Sequence, residues 1–301
     1  MVIPNQENTI KPSRLSPAEQ TRLSWATRIA SYQEIPVDYQ WFFDLHKFSQ
    51  IEFPFTVITP SFEGFLHRYQ EKMVCLFREK LYIVDKTSKS SLLFKLQDIS
   101  LMEFRKVLLD SSFILAGVEF SGKSARVDLH FNTVTEGLFW EIMRRIRQSF
   151  FHERDATEKP NFDELRQESF KFASYSRNCL IPGEKVKDLV WQPELKANRL
   201  PNLLPKLIKE WFERIVFPNH LLIITDQELI LIRDDEHENR KEKYGAIWQV
   251  IPLSKIRSVD QTDQENGLLK LILHLSDGTQ IDTLFLPQMK ERIEKAIPLI
   301  I

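Results

Sequence analysis

One stretch of this 301-residue chain fits a phosphate-binding loop letter for letter. Gly117-Val118-Glu119-Phe120-Ser121-Gly122-Lys123-Ser124 reads as G-x-x-x-x-G-K-S. Such a loop wraps phosphates in backbone N–H groups, while its Lys and Ser reach the phosphates and Mg²⁺. The chemistry needs a helix directly after the loop, with its N-terminus facing the anion. Here Ala125, Val127, Leu129 and Phe131 alternate with Arg126, Asp128 and His130, the period of a strand. Val118, Glu119 and Phe120 are bulky and β-prone, poor material for a tight anion loop. The segment is therefore expected to be a hairpin tip, and nucleotide hydrolysis through Lys123 ranks last of three functional readings.

Other chemistry is sparse. No two of the histidines, at 46, 67, 130, 152, 220, 237 and 274, lie within sixteen residues of each other, so local sequence pairs none of them as metal ligands. His130 and His274 sit opposite an apolar stripe and are expected at the surface. Cys75 and Cys179 are too far apart to form a redox or zinc motif. His237-Glu238 begins like a zinc-protease helix, but position 241 is Lys. The expectation is a protein that is not an enzyme and has no cofactor and no metal.

Charge narrows the partners. Lys+Arg is 41 against Asp+Glu 42, a net charge of −1 that argues against nucleic acid. Glycine numbers only 8, which disfavours folds built on glycine-rich nucleotide loops. An anionic membrane contributes about 1 kcal/mol per nearby basic side chain, so several must cluster. The long loop at 234–245 holds Arg240, Lys241 and Lys243, but also Asp234, Asp235, Glu236, Glu238 and Glu242. Arg144, Arg145 and Arg147 share a helix with Glu136 and Glu141 and are expected on a solvated face. The first residues show no basic head with an apolar stretch, and no run reaches the ~18 apolar residues of a membrane span. A cytoplasmic protein is expected, with a peripheral place at the inner face of the membrane as the alternative.

The elements that must position any site repeat along the chain. In the second half, Asn161 caps a helix running to about 175, and 186–192 reads as a strand. Residues 203–217 have helical spacing. Strands follow at 221–225, 229–233, 247–251, 256–262, 268–275 and 280–286, with a hairpin turn at Ser276-Asp277-Gly278-Thr279. Met289, Ile293, Ala296 and Ile297 mark a closing helix stopped by Pro298. In the first half, Ser16-Pro17-Ala18-Glu19 starts a helix ending near Ala30-Ser31-Tyr32, matched to Ala173-Ser174-Tyr175. Residues 80–85 parallel 228–233, 94–99 parallel 251–256, and 125–128 parallel 279–282. Leu138, Phe139, Ile142, Ile146 and Phe150 mark an amphipathic helix at the corresponding place. The expected organisation is one domain at 15–152, a polar linker at 153–160 and a second copy at 161–301.

Leu221-Leu222-Ile223-Ile224-Thr225-Asp226-Gln227-Glu228-Leu229-Ile230-Leu231-Ile232, followed by Ile251-Pro252-Leu253-Ser254-Lys255-Ile256, resembles the bacterial PH-like (pleckstrin-homology superfold) family. The likeness covers about 120 residues of the second repeat. The first departs from it, with Phe77-Arg78 in place of Thr225-Asp226 and Lys95 in place of Pro252. The resemblance implies a mainly β chain of two tandem PH-like barrels. Each would have about seven antiparallel strands, a capping helix after them and another helix before. It also implies a non-enzymatic module for lipid, peptide or protein, with no catalytic residues to carry over. The leading expectation is an adaptor for an unidentified protein or peptide partner, ahead of anionic lipid. The residues expected to face that partner are Trp41 and Phe42, in an aromatic-rich segment, and Arg240, Lys241, Lys243 and Tyr244, in the long loop.

Overall fold

The structure, a computed structural model, describes residues 24–46, 48, 52–63, 68–107, 110–150, 160–198, 213–235, 245–264 and 267–301. Its strands are all paired antiparallel. The first half contains β1 (Thr27–Ile29), helix α1 (Val37–His46), β2 (Phe55–Ile58), β3 (Phe62–Glu63), β4 (Arg68–Tyr69), β5 (Lys72–Phe77), β6 (Lys80–Asp85) and β7 (Ser90–Lys95). After a 3-10 turn come β8 (Ile99–Val107), β9 (Asp110–Val118), β10 (Ser124–Asn132) and helix α2 (Glu136–Gln148). The second half contains α3 (Asp163–Glu168), α4 (Phe170–Cys179), β11 (Val186–Gln192), β12 (Leu195–Asn198), β13 (Glu213–Phe217), β14 (His220–Thr225), β15 (Glu228–Arg233) and β16 (Ala246–Pro252). It ends with β17 (Ile256–Asp263), β18 (Leu269–Leu275), β19 (Gln280–Phe285) and helix α5 (Lys290–Ala296).

Three sheets carry the architecture, in the orders β1-β2-β5-β6-β7, β10-β9-β8-β16-β15-β14-β11 and β17-β18-β19. Burial along the strands shows why they stack in layers. β14 and β15 are buried at every position but Arg233, as a sheet covered on both faces requires. Leu221, Ile223, Ile230 and Ile232 point to one side, into a core shared with α2, α4 and the inner face of the five-stranded sheet. Leu222, Ile224, Leu229 and Leu231 point to the other, into a core closed by β17-β18-β19 and α5. A third core lies on the outer face of the five-stranded sheet, where Met73, Cys75, Tyr82 and Val84 meet Tyr39, Phe42 and Phe43 of α1.

The seven-stranded sheet crosses between the halves. β8 of the first half pairs with β16 of the second, in a register running from Ala246↔Lys106 to Val250↔Met102. At one step of this seam Gln249 Nε2 donates to Glu103 Oε2 at 2.7 Å, and both residues are buried. The turn between β18 and β19 also reaches the first half. Ser100 Oγ donates to Asp277 Oδ2 at 2.7 Å, and Ser124 Oγ to the Asp277 carbonyl at 2.6 Å. Arg105 makes a two-pronged contact with Asp235, at 2.7 and 2.8 Å. In the last turn of α2, the Arg147 side chain is 3% exposed. Its Nε donates to Glu228 at 2.8 Å, its Nη2 to Glu184 at 3.1 Å, and its Nη1 to the Cys179 carbonyl.

The structure corrects several sequence readings. Among the described residues neither half closes on itself as a barrel; β8 and β16 pair with each other across the two halves instead. Residues 27–29 form a strand on the edge of the first sheet, where a helix was expected. The helix expected at 203–217 gives way at its end to strand β13, and its earlier part lies outside the described residues. The helix expected to be capped by Asn161 has its N-cap at Phe162 instead, and it is broken at Ser169, which is extended and uses its Oγ to cap the second segment at the Phe172 N–H. Arg147 is not on a solvated face, though Arg144 and Arg145 are exposed. The helix start at Ser16 and most of the 153–160 linker also fall outside the described residues.

Gly117 shows what the first glycine of the apparent nucleotide motif is for. It lies opposite Ile99 beside a bulge in β8, and an added Cβ would sit 2.5 Å from the Asp98 carbonyl oxygen. Backbone cannot step aside as a flexible side chain can. Gly117→Ala should therefore cost about 1–3 kcal/mol, measured by urea unfolding. Arg147→Ala removes the cation shared by two buried carboxylates, Glu184 and Glu228. It should cost about 3–5 kcal/mol in the same assay, well above the cost of Arg144→Ala on the exposed face.

Candidate binding surfaces

The Gly117–Ser124 segment is the tip of the β9–β10 hairpin, with Val118 paired to Ser124. Gly122 supplies the positive φ of the turn, +85°. Three of its N–H groups are already engaged within the protein. Glu119 N–H donates to the Lys123 carbonyl at 2.9 Å, Phe120 N–H to the Leu93 carbonyl at 2.7 Å, and Gly122 N–H to the Glu119 carbonyl at 2.8 Å. Ser124 Oγ is held by Asp277, and a strand follows. Three of the segment's N–H donors are committed, and a strand rather than a helix follows.

Helix α1 has two apolar sides. Tyr39, Phe42 and Phe43 form the inner one. The Phe42 ring packs on Phe43, Phe48 and Tyr82 at 5.3–5.7 Å between centroids. At 0% exposure, Phe42 presents nothing to a partner, which corrects the expectation for it. Val37, Trp41 and Leu45 recur every fourth residue along the outer side, so they fall in one stripe. Val37 is 78% exposed, Leu45 is 69% exposed, and Trp41 is half-buried between them. Asp38 and Asp44 are exposed on the same helix, which carries no Lys or Arg. Trp41 was legible in the sequence, but its companions Val37 and Leu45 were missed. The helical period running through them was the signal available.

A cavity of about 370 Å³ opens where the end of α2 meets β2 and the β5–β6 turn. Its wall includes Phe53, Phe55 and Phe77, with Glu52, Arg78 and Arg145 among the charged lining residues. The Phe55 ring lies between two guanidiniums, Arg28 and Arg145, each with its central carbon 4.7 Å from the ring centroid. Such contacts are each worth about 0.5–1 kcal/mol at exposed sites. They hold the wall open with cations rather than with further apolar packing. Arg145 is also bound to Glu141 at 2.7 Å.

Arg240, Lys241, Lys243 and Tyr244 lie outside the described residues. The ends of their loop are described and are pinned. Lys171 Nζ bridges Asp234 at 2.7 Å and the Gly245 carbonyl at 2.8 Å, and Asn219 Nδ2 donates to Asp234 at 2.7 Å. Asp235 is held by Arg105. This changes the loop's electrostatics. With Asp234 and Asp235 neutralised in place, Glu236, Glu238 and Glu242 stand against Arg240, Lys241 and Lys243. The loop is then balanced rather than acidic.

The histidines stay separate. His220 is fully buried, donates from Nδ1 to the Pro218 carbonyl at 3.1 Å, and is pushed down to about 4 by burial, so it is neutral at physiological pH. His130 is partly buried, stacked on Tyr69 and 3.1 Å from Asp128, and His274 is 2.8 Å from Asp260. Among the described residues, no three His, Cys, Asp or Glu side chains gather as metal ligands, and no helix is long and apolar enough to cross a membrane.

No family model matches the chain, and no curated protein matches it. With three hairpin donors committed and a strand in place of the helix, millimolar Mg-ATP should leave the melting temperature of wild type and Lys123→Ala alike unmoved. Occupancy at 100 times a dissociation constant would stabilise by about 2.7 kcal/mol, which a thermal scan would register.

Proposed function

We propose that the chain is a non-enzymatic adaptor made of two tandem PH-like units, and that it binds a protein partner on the outer face of α1. What supports the duplication is the repetition of packing. β2-β5-β6-β7 and β11-β14-β15-β16 each precede a three-stranded meander, β8-β9-β10 or β17-β18-β19, and then a helix, α2 or α5. Helix α1 packs on the face of the first group turned away from its meander, and α4 packs on the corresponding face of the second group, inside the shared core. Tyr39, Phe43 and His46 stand on α1 as Phe172, Ser176 and Cys179 stand on α4. By this alignment α4 answers to α1, not to the segment ending at Tyr32.

The observation that carries the partner reading is the exposed pair Val37 and Leu45, which flank the half-buried Trp41 on one side of α1. A helix already anchored by one apolar side has no folding reason to expose a second, and such stripes suit recognition of a helix in a partner. Asp44, and Asp38 with Lys86 Nζ 4.0 Å away, lie beside these residues and favour a partner helix with basic flanks. Peripheral binding to anionic lipid is the alternative, and the same acids oppose it at this face.

A photo-crosslinking residue placed at Leu45 should give a discrete protein adduct in source cells, one that Val37→Glu abolishes. The same probe at Thr87, an exposed turn position, should give none. Equal adducts from both positions, or salt-sensitive pelleting with anionic vesicles and no protein adduct, would overturn the reading.

A further inference from the structure

The Arg147 cluster holds more acid than base. Among the described residues, Glu184 and Glu228 are the carboxylates bonded to Arg147, and both side chains are 0% exposed. Each spends one oxygen on the guanidinium. Glu184 Oε2 also accepts the Ile181 N–H at 3.0 Å. The other oxygen of each, Glu184 Oε1 and Glu228 Oε1, is buried with no hydrogen-bond partner. The remaining titratable group facing the cluster is the Cys179 thiol, which burial pushes up to about 12, so it brings no charge. With both carboxyls ionised, the enclosure would hold a net negative charge and two orphaned acceptors. Such an arrangement is costly where water cannot reach it. One proton removes the excess charge and makes an acceptor into a donor.

We propose that this proton is a latch between the two halves of the chain: the junction is tight while one of the two carboxyls is protonated and loosens once both are ionised. The parts are placed for that role. Arg147 belongs to the last helix of the first half. Glu184 lies in the turn leading into β11, and Glu228 opens β15, both in the second half. Burial is the chief cause of a raised Glu184, pushed up to about 7. Arg147 opposes the rise, and the charge on Glu228 adds to it.

The sign follows from linkage. A carboxyl raised in the folded state holds a proton that the unfolded chain releases. Its contribution is fully present below the ordinary carboxylate range and is lost as pH climbs through about 7. Asp85 and Glu141 are shifted the other way, by hydrogen bonds and by Arg144 and Arg145 respectively, and they act only in acid. His220 stays neutral through the window.

The test uses the full chain and Glu184→Gln, which keeps the shape of the protonated group and cannot ionise. Between pH 6 and pH 8.5 the melting temperature of wild type should fall by several degrees more than that of the variant. Over the same range the β16 amides should lose exchange protection in wild type alone, after correction for the intrinsic rate. Should the variant fail to fold, infrared spectra of wild type still decide. A buried carboxylic-acid band should be present at pH 6 and gone by pH 8.5. Parallel pH slopes in the two proteins, unchanged β16 protection, or no such band at pH 6 would overturn the proposal.

Discussion

The free edge of β8 has to pair with something. A 3-10 turn at Leu96–Asp98 swings the chain away from β7, so β8 starts a new group of strands with one side bonded to β9 and the other open. The same happens in the second half, where the turn at Leu253–Lys255 parts β16 from β17 and leaves an edge of β16 open. A nine-residue strand, six of its residues buried, with unbonded N–H and C=O groups would be costly inside the protein and adhesive outside it. Pairing β8 with β16 satisfies both edges at once. The shared core follows, because Phe104 on one strand and Trp248 on the other then point to the same side, 6.0 Å apart between ring centroids.

A seam made of backbone hydrogen bonds is strong but tolerant of slippage, since a shift of two residues restores the same faces. The polar contacts across it restrict that freedom. Glu103 and Gln249 meet only in one register. Arg105 finds Asp235, and Ser100 finds Asp277, only if the halves sit as they do. Apolar side chains at these places would bury as well without fixing the register. The polar pairs are best understood as selecting one arrangement, while the apolar layers supply most of the stabilisation.

The sequence was most readable where one strand or helix could be judged by its own pattern. β18 alternates Leu269, Leu271, Leu273 and Leu275 with half-buried residues, as its period of two implies. The hairpin at Gly122 and the closing helix at Ile293 and Ala296 were equally plain. The seam was not legible, because nothing in Met102–Lys106 or in residues 246–250 names a partner more than a hundred residues away. Arg147 was misread for a related reason. On a helix whose other arginines meet Glu141 locally, its burial depends on two carboxylates brought in by distant turns. The outer stripe of α1 was half visible: the aromatic density around Trp41 drew attention to the core-forming Phe42 as well, and only the packing separates the two sides.

The last turn of α2 joins these themes. Arg145, Gln148 and Ser149 line the groove around Phe55, while Arg147, between them in sequence, turns the opposite way into the second half. One helical turn thus forms a groove wall on the first half and an anchor in the second. A buried, strongly shifted ionisable cluster often marks a catalytic centre, but such a centre must be reached by a substrate. Here the shifted groups are enclosed, and the nearby open cavity is lined by their exposed neighbours instead. That separation fits a structural role for the cluster.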